Sequence, residues 1–400
     1  MVPSGWEKYK LNEITKIYDG THQTPKYVES GVPFYSVEHL TGKQFTNTKY
    51  ISEDVFEKES KRVVLEKNDI LMTRIGDIGT AKLIDWNVRA SFYVSLALIK
   101  QSTYFNSSFL ENYINSDLFK LELWKRTIHV AFPKKINLGE IGECEVTLPP
   151  LPEQQKIAKI LTTWDKAINT TERLIENSKQ QKKALMQQLL TGQKRLLDDS
   201  GQRFSGDWEK KSIAEIANVI TGSTPSTKNS DYYGGEHLFV SPSDLGSNKY
   251  ISQTAKTLTD SGIDKTRLIP KGSSLFTCIG STIGKLGIAG KDLATNQQIN
   301  SVIPKGNYSN EYVYYQLLLN AKKIQNSAAV QAVPIINKTN FESQLLYFPP
   351  TLQEQQKIAA VLTNADREIE VLEQQLNDLQ QEKKALIQQL LTGKKRVKVD

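Results

Sequence analysis

Cysteine is almost absent. Only Cys144 and Cys278 occur in 400 residues, in different segments, so neither a structural disulfide nor a zinc cluster is expected. Histidine is nearly as scarce: His22, His39, His129 and His237 show no i,i+4 spacing with a glutamate, which argues against a zinc hydrolase. No run of eighteen apolar residues exists, so no membrane span is expected. The N-terminal MVPSGWEKYKLNEI lacks the apolar core of a signal peptide, so a cytoplasmic location is expected. There is no G-x-S-x-G elbow, no Cys/His pair suited to nucleophilic catalysis, and no Asn-Pro-Pro-aromatic tetrapeptide. GSTIGK (Gly280 to Lys285) invites a phosphate-loop reading. Only three residues separate its glycines, however, and Leu286 stands where Ser or Thr must bind magnesium, so a tight turn is the better reading. The chain is long enough to have held such sites. Their absence is therefore informative.

What the chain does contain is a repeat. Leu151 to Leu196 returns as Leu352 to Val397, with about 25 of 46 positions identical and no gap. Each copy follows a Pro-Pro pair (Pro149-Pro150, Pro349-Pro350) and ends in Leu-Thr-Gly (Gly192, Gly393), which are helix-entry and helix-exit signals. Apolar residues alternate at spacings of four and three. The first copy carries Ile157, Leu161, Trp164, Ile168, Ile175, Leu185 and Leu189, and the second Ile358, Leu362, Ile369, Leu372, Leu376, Leu379, Leu386 and Leu390. A 3.5-residue period makes a narrow seam, suited to helices that pair with each other. Each helix would span roughly 38 residues, or about 57 Å. Two unrelated surface helices would not repeat polar positions that packing does not dictate.

The globular segments repeat more distantly. Gly5-Trp6-Glu7-Lys8 answers Asp207-Trp208-Glu209-Lys210, LNEITKIYDG (Leu11 to Gly20) answers IAEIANVITG (Ile213 to Gly222), and ILMTRIGDIG answers SLFTCIGSTIG. Short β-rich runs such as Lys82 to Asp85, Phe92 to Lys100 and Ser301 to Pro304 mix with amphipathic stretches at Ser108 to Arg126 and Asn310 to Gln325. The expected architecture is α+β: two similar domains joined by two long helices in an antiparallel coiled coil with an internal pseudo-two-fold. The expected boundaries are a first domain over 1–150, a first helix over 151–192, a linker over 193–206 overlapping the polar stretch Lys183 to Arg203, a second domain over 207–350, a second helix over 351–393 and a basic tail over 394–400.

Net charge is +7, made up of about 0 over 1–150, +3 over 151–200, +4 over 201–350 and 0 over 351–400. Such a mild excess permits nucleic-acid binding without demanding it. Lys182, Lys183, Lys383, Lys384 and Lys394 to Arg396 near the helix ends read equally well as charge complementing the helix dipole.

Together these residues resemble the DNA-specificity subunits of type I restriction–modification systems. The resemblance rests on P-P-L-P-E-Q-Q-K-I-A (Pro149 to Ala158), P-P-T-L-Q-E-Q-Q-K-I-A (Pro349 to Ala359), the K-K-A-L-x-Q-Q-L-L-T-G endings and Ala294-Thr295-Asn296-Gln297-Gln298-Ile299-Asn300. It covers essentially the whole chain and departs at Ala90 to Ser95, where Ala-Ser-Phe-Tyr-Val-Ser replaces the polar stretch. It implies a non-catalytic subunit whose two target-recognition domains read the halves of a bipartite, asymmetric site in double-stranded DNA, with the helices as ruler. It further implies two methyltransferase subunits and two restriction subunits as partners, which would carry S-adenosylmethionine, ATP and magnesium. Two alternatives remain at this point: the specificity chain of a related bipartite-site system with one fused nuclease–methyltransferase partner, and a coiled-coil scaffold that reads no DNA.

Base reading needs donors and acceptors that reach a groove. The candidates in the first domain are His22, Gln23, Thr24 and Lys26, with Arg74, Arg89, Lys134 and Lys135. In the second they are Ser226, Thr227, Lys228 and Asn229, with Lys285, Asn296, Gln297, Gln298 and Lys338. Each such loop also reads as a solvated turn. Trp6 and Trp208 open repeated segments and are expected as core anchors, not stacking platforms.

Overall fold

A computed structural model describes residues 2–246, 248–328 and 333–399, folded as two compact units. The first holds 1–172 together with 374–400, and the second holds 173–373. Each long helix therefore contributes its first half to one unit and its second half to the other.

In the first unit, the opening strand Glu7–Lys10 pairs antiparallel with the last strand of the domain, Glu145–Leu148. Between them lie two four-stranded sheets. One has the order Ile17–Asp19, Leu96–Ile99, Ile70–Ile75, Asp77–Leu83; the other has Tyr27–Val28, Lys49–Ile51, Val32–Tyr35, Ser91–Phe92. Leu96–Ile99 is buried at every position because both faces are covered. Ala97 and Ile99 join Phe109, Leu110 and Ile114, whereas Leu96 and Leu98 join Leu71, Ile84 and Phe92. This is why the strand reads as a continuous apolar run instead of alternating. The Ser108 to Arg126 stretch, expected as one helix, is two: Ser107–Asn115 and Asp117–Arg126. Ser116 breaks it by taking an extended backbone (φ −75°, ψ 156°) and donating its Oγ–H to the Tyr113 carbonyl at 2.6 Å.

The second unit repeats the plan. Glu209–Ser212 pairs with Leu345–Phe348, beside a five-stranded and a three-stranded sheet. The fifth strand, Tyr250–Ile251, runs parallel to Leu286–Ala289. Here the amphipathic stretch is one helix, Asn310–Asn326.

The long helices run Leu151–Leu190 and Leu352–Leu390. The stretch from Lys183 is therefore helical for two more turns, and the expected linker begins only beyond it. Within each unit the first half of one helix packs against the last half of the other. In the first unit Asp165 meets Lys383 at 2.5 Å and Glu153 meets Arg396 at 2.7 Å. In the second, Lys182 meets Asp366 and Ser178 donates to Glu368 at 3.2 Å. Partner numbers fall as helix numbers rise, so the pairing is antiparallel. Ile157, Leu161, Ile175, Leu189, Ile358, Leu362, Ile369 and Leu390 are buried along it. Trp164, Ile168, Leu185, Leu372, Leu376, Leu379 and Leu386 are half-buried. Lys182 and Lys383 occupy seam positions and reach across to an aspartate, so they do more than complement a dipole. A lysine at a seam position fixes register at a cost in stability.

Both helices end at a glycine with positive φ, +74° at Gly192 and +66° at Gly393. Each glycine also faces a tryptophan: a Cβ on Gly192 would lie 3.1 Å from the Trp208 ring, and one on Gly393 would lie 3.4 Å from Trp6. Beyond each glycine an arginine turns back. Arg195 makes two hydrogen bonds to Glu354, at 2.5 and 2.7 Å, and Arg396 makes two to Glu153, both 2.7 Å. Each guanidinium lies 5.7–5.8 Å from the matching tryptophan ring. Trp6 is buried and Trp208 packs against the second core, so both serve as anchors. The segments expected as linker and basic tail are thus fastened down. In the linker, Asp199 also pairs with Lys357 at 2.7 Å.

Candidate nucleic-acid interface

In the first domain the main sheet ends on one side with Asp19, Ile75, Asp77 and Leu96, because Asp19 pairs with Ala97, Thr73 with Leu96 and Ile75 with Asp77. The polar loop after Asp19 leaves from that end. Thr21 N donates to the Phe92 carbonyl and Val94 N to the Thr21 carbonyl, at 2.9 and 3.0 Å, and the Thr24 hydroxyl lies 3.1 Å from that of Tyr93. Asp19 gathers His22 at 2.8 Å and Arg62 at 2.7 Å, with Arg74 at 3.9 Å. Burial alone would raise the Asp19 carboxyl; Arg62 and His22 outweigh it and hold the group below its ordinary range. The Ile75–Gly76 turn is stitched to the segment before Ile136, with Gly76 N donating to the Lys134 carbonyl at 2.8 Å.

The fold therefore brings together His22, Gln23, Thr24 and Lys26 with Lys134 and Lys135, all exposed. Arg74 sits among them but is only 8% exposed. Its guanidinium donates to the carbonyls of Val94 at 2.7 Å and Ile136 at 3.1 Å. It braces three loops from beneath and presents little of itself at the surface. Arg89 is held elsewhere, by Glu53 and over the Phe56 ring.

The second domain builds the same end from different side chains. Ser223 N donates to the Thr295 carbonyl at 2.9 Å, Cys278 N to Gln298 at 2.8 Å, and Gly280 N to Pro334 at 2.9 Å. These answer Thr21–Phe92, Arg74–Ser95 and Gly76–Lys134. Tyr93, Val94 and Ser95 thus correspond to Asn296, Gln297 and Gln298. The Thr224 hydroxyl donates to Gln297, and Asn296 Nδ2 donates to Gln298 at 3.1 Å. Ser226, Thr227 and Lys228 are exposed, while the Asn229 side chain caps the turn at Asp231. Gly280 and Gly284 both carry positive φ, so GSTIGK is the tight turn expected, and Lys285 projects from it exposed. Lys338 stands off, paired with Glu342 at 3.5 Å.

The sequence reading missed Asp19, Arg62 and Tyr93, whose roles depend on contacts distant along the chain. The repeated E-Q-Q motif does structural work. Glu153 and Glu354 receive the returning arginines. Gln154 accepts from Asn106 N at 2.8 Å and Gln355 from Ser309 N at 3.0 Å, fixing the start of the helix behind each sheet. Both cysteines are buried, and burial pushes each thiol up to about 12. Among the described residues no group of three potential metal ligands comes together, and no helix is long and apolar enough to cross a membrane.

Two similar α+β domains, each clamped to both long helices, define a two-headed recognition protein. Residues 3–178 and 205–381 match the family model described as type I restriction modification DNA specificity domain, and the chain belongs to that family. The type I restriction enzyme MjaVIII specificity subunit of Methanocaldococcus jannaschii is 24% identical over 424 residues, covering 99% of this chain and 94% of that protein. The MjaIX specificity subunit of the same organism is 34% identical over 170 residues, 41% of this chain and 39% of that one. Among solved structures, the type I restriction-modification S subunit from M. genitalium superposes with a TM-score of 0.63 at 13% identity, covering 96% of each chain. A chain from a study of type I R-M complex assembly and conformational transition gives 0.60 at 14%, covering 98% of each. At such identities the structural likeness speaks for the fold.

Proposed function

We propose that this chain is the specificity subunit of a type I restriction–modification system. It reads a bipartite, asymmetric sequence in double-stranded DNA and carries no catalysis itself. One observation supports this reading above the others: two loop clusters hang from the same backbone hydrogen bonds yet present different side chains. Asn296, Gln297 and Gln298 suit the N6/N7 edge of adenine. Tyr93 and Val94 in the matching positions offer a hydroxyl and apolar surface. One scaffold with two faces is what an asymmetric pair of half-sites requires. Lys26, Lys134, Lys135, Lys228 and Lys285 suit phosphates, which position a protein without specifying sequence.

The paired helices serve as the spacer between half-sites. Two methyltransferase subunits supply S-adenosylmethionine chemistry to an adenine in each half, and two ATP-dependent restriction subunits act on unmodified DNA, all in the cytoplasm. Shared phosphate contacts within such an assembly explain why the net charge of this chain is modest.

The test is single-molecule sequencing of DNA from cells co-expressing the chain and its methyltransferase. A bipartite methylated motif should appear only when both are present. Removing one heptad from each long helix should shorten the gap and keep both half-sites. No motif, or a changed half-site with an unchanged gap, refutes the reading.

A further inference from the structure

The segment Ile128 to Lys135 is a small hairpin standing on the first domain's loop cluster. Ile128 N donates to the Lys135 carbonyl at 2.8 Å, and Lys135 bridges in turn to Ile75. At its tip Val130 is 96% and Phe132 104% exposed, the two most exposed large apolar side chains among the described residues. Nothing in the domain's packing calls for them there. The base of the hairpin is propped from the side: the Trp124 ring lies 4.1 Å from that of His129, and Lys134 Nζ sits 5.0 Å from the Trp124 ring centre. Bare apolar residues on a braced stalk, with Lys134 and Lys135 exposed at its root, form a wedge flanked by cations.

We propose that Phe132, with Val130 beside it, enters a groove of the first half-site as an apolar wedge. There it contacts a thymine methyl or opens a flexible base step while Lys134 and Lys135 hold the flanking phosphates. Charge favours DNA as the occupant, since the lysines that root the hairpin share its strand. Continuity favours it too: the same strand is hydrogen-bonded to the Ile75–Gly76 turn, and Arg74 beside that turn lies 3.9 Å from Asp19, the carboxylate that holds His22. Apolar side chains inserted at base steps read deformability as well as base identity.

The inference rests on the first domain being a DNA reader, so the experiment uses the chain assembled with its methyltransferase and the motif found by sequencing. Phe132→Ala should weaken cognate duplex binding at least tenfold and leave the salt dependence unchanged, because an apolar contact releases no counterions. Lys134→Ala with Lys135→Ala should flatten the salt dependence instead. Phe132→Leu should restore much of the loss, and 2-aminopurine placed in the first half-site should brighten with the native complex but not with Phe132→Ala. Unchanged affinity and fluorescence in Phe132→Ala would overturn the wedge while leaving the bipartite reading intact. So would weakened capture of the methyltransferase with normal DNA binding, which would make the hairpin part of a protein-docking stripe with Leu118, Leu121 and Trp124. Full exposure of Phe132 makes misfolding of the variant no confounder, and circular dichroism checks it.

Discussion

The two units hold their domains to the long helices by the same clamp but not by the same junction. In the second, Lys249 is buried with its side chain 6% exposed and reaches Glu311 at 2.6 Å, Thr363 at 2.8 Å and the Tyr315 hydroxyl at 2.9 Å. Three tyrosine rings, Tyr250, Tyr314 and Tyr315, surround the ammonium within 5.5 Å. Among the described residues the first unit has no buried ammonium at the matching helix: Lys82 comes no nearer than 4.0 Å to Glu111, Ser108 lies 3.4 Å from Thr162, and Phe109, Leu110 and Ile114 make an apolar contact with Ile157 and Leu161. A domain packed on apolar surface tolerates small sliding. One pinned by a buried cation with several directional partners has a single seat. The second domain is therefore expected to be the more firmly seated of the two.

Each side of that contrast can be perturbed separately. Because two units need not unfold together, hydrogen exchange resolved along the chain is the proper readout for each. Lys249→Met should have the largest effect. It takes the ammonium partner from Glu311 in a partly buried site, while Asp366 keeps Lys182, and should cost the second unit about 3–5 kcal/mol, with no change in the first. Glu354→Ala leaves Arg195, 17% exposed, facing an empty site and should cost about 2–4 kcal/mol. Glu153→Ala in the first unit should cost less, because Arg396 is 44% exposed and water can take over the lost partner. Equal losses from Glu354→Ala and Glu153→Ala would erase the contrast at the clamp. Ser108→Ala should lie within about 0.5 kcal/mol of the parent. The smallest effect concerns the thiols: with both pushed up to about 12 by burial, Cys144 and Cys278 should resist a thiol reagent at pH 8 until the protein is denatured. Burst labelling of one alone would show its unit opening.

The architecture was legible from the chain because its signals are local and doubled. A 3.5-residue seam, the Pro-Pro and Leu-Thr-Gly limits and a repeat reaching polar positions mark the helices without help from tertiary contacts. The interior of the site was less legible. Whether an arginine such as Arg74 presents to a groove or braces loops from below depends on carbonyls at Val94 and Ile136, far along the sequence. The break at Ser116 was hidden for a related reason, since the apolar pattern runs through it and only the backbone departs. Glu153 and Gln154 stood in plain view inside the quoted motif, and Arg195 just beyond the Leu-Thr-Gly ending. Their jobs show only in the folded chain, where Glu153 receives Arg396 and Glu354 receives Arg195.

The way the chain is partitioned also governs the order in which it can be made. Residues 173–373 are one uninterrupted piece, whereas the first unit needs Leu386, Ile387, Leu390 and Leu391 from the far end to close its core. A ribosome adding about 5–20 residues per second must deliver roughly 200 more after the first domain emerges, a wait of about 10–40 s. During synthesis the head that begins first is completed last, with the apolar flank of its helix uncovered until then.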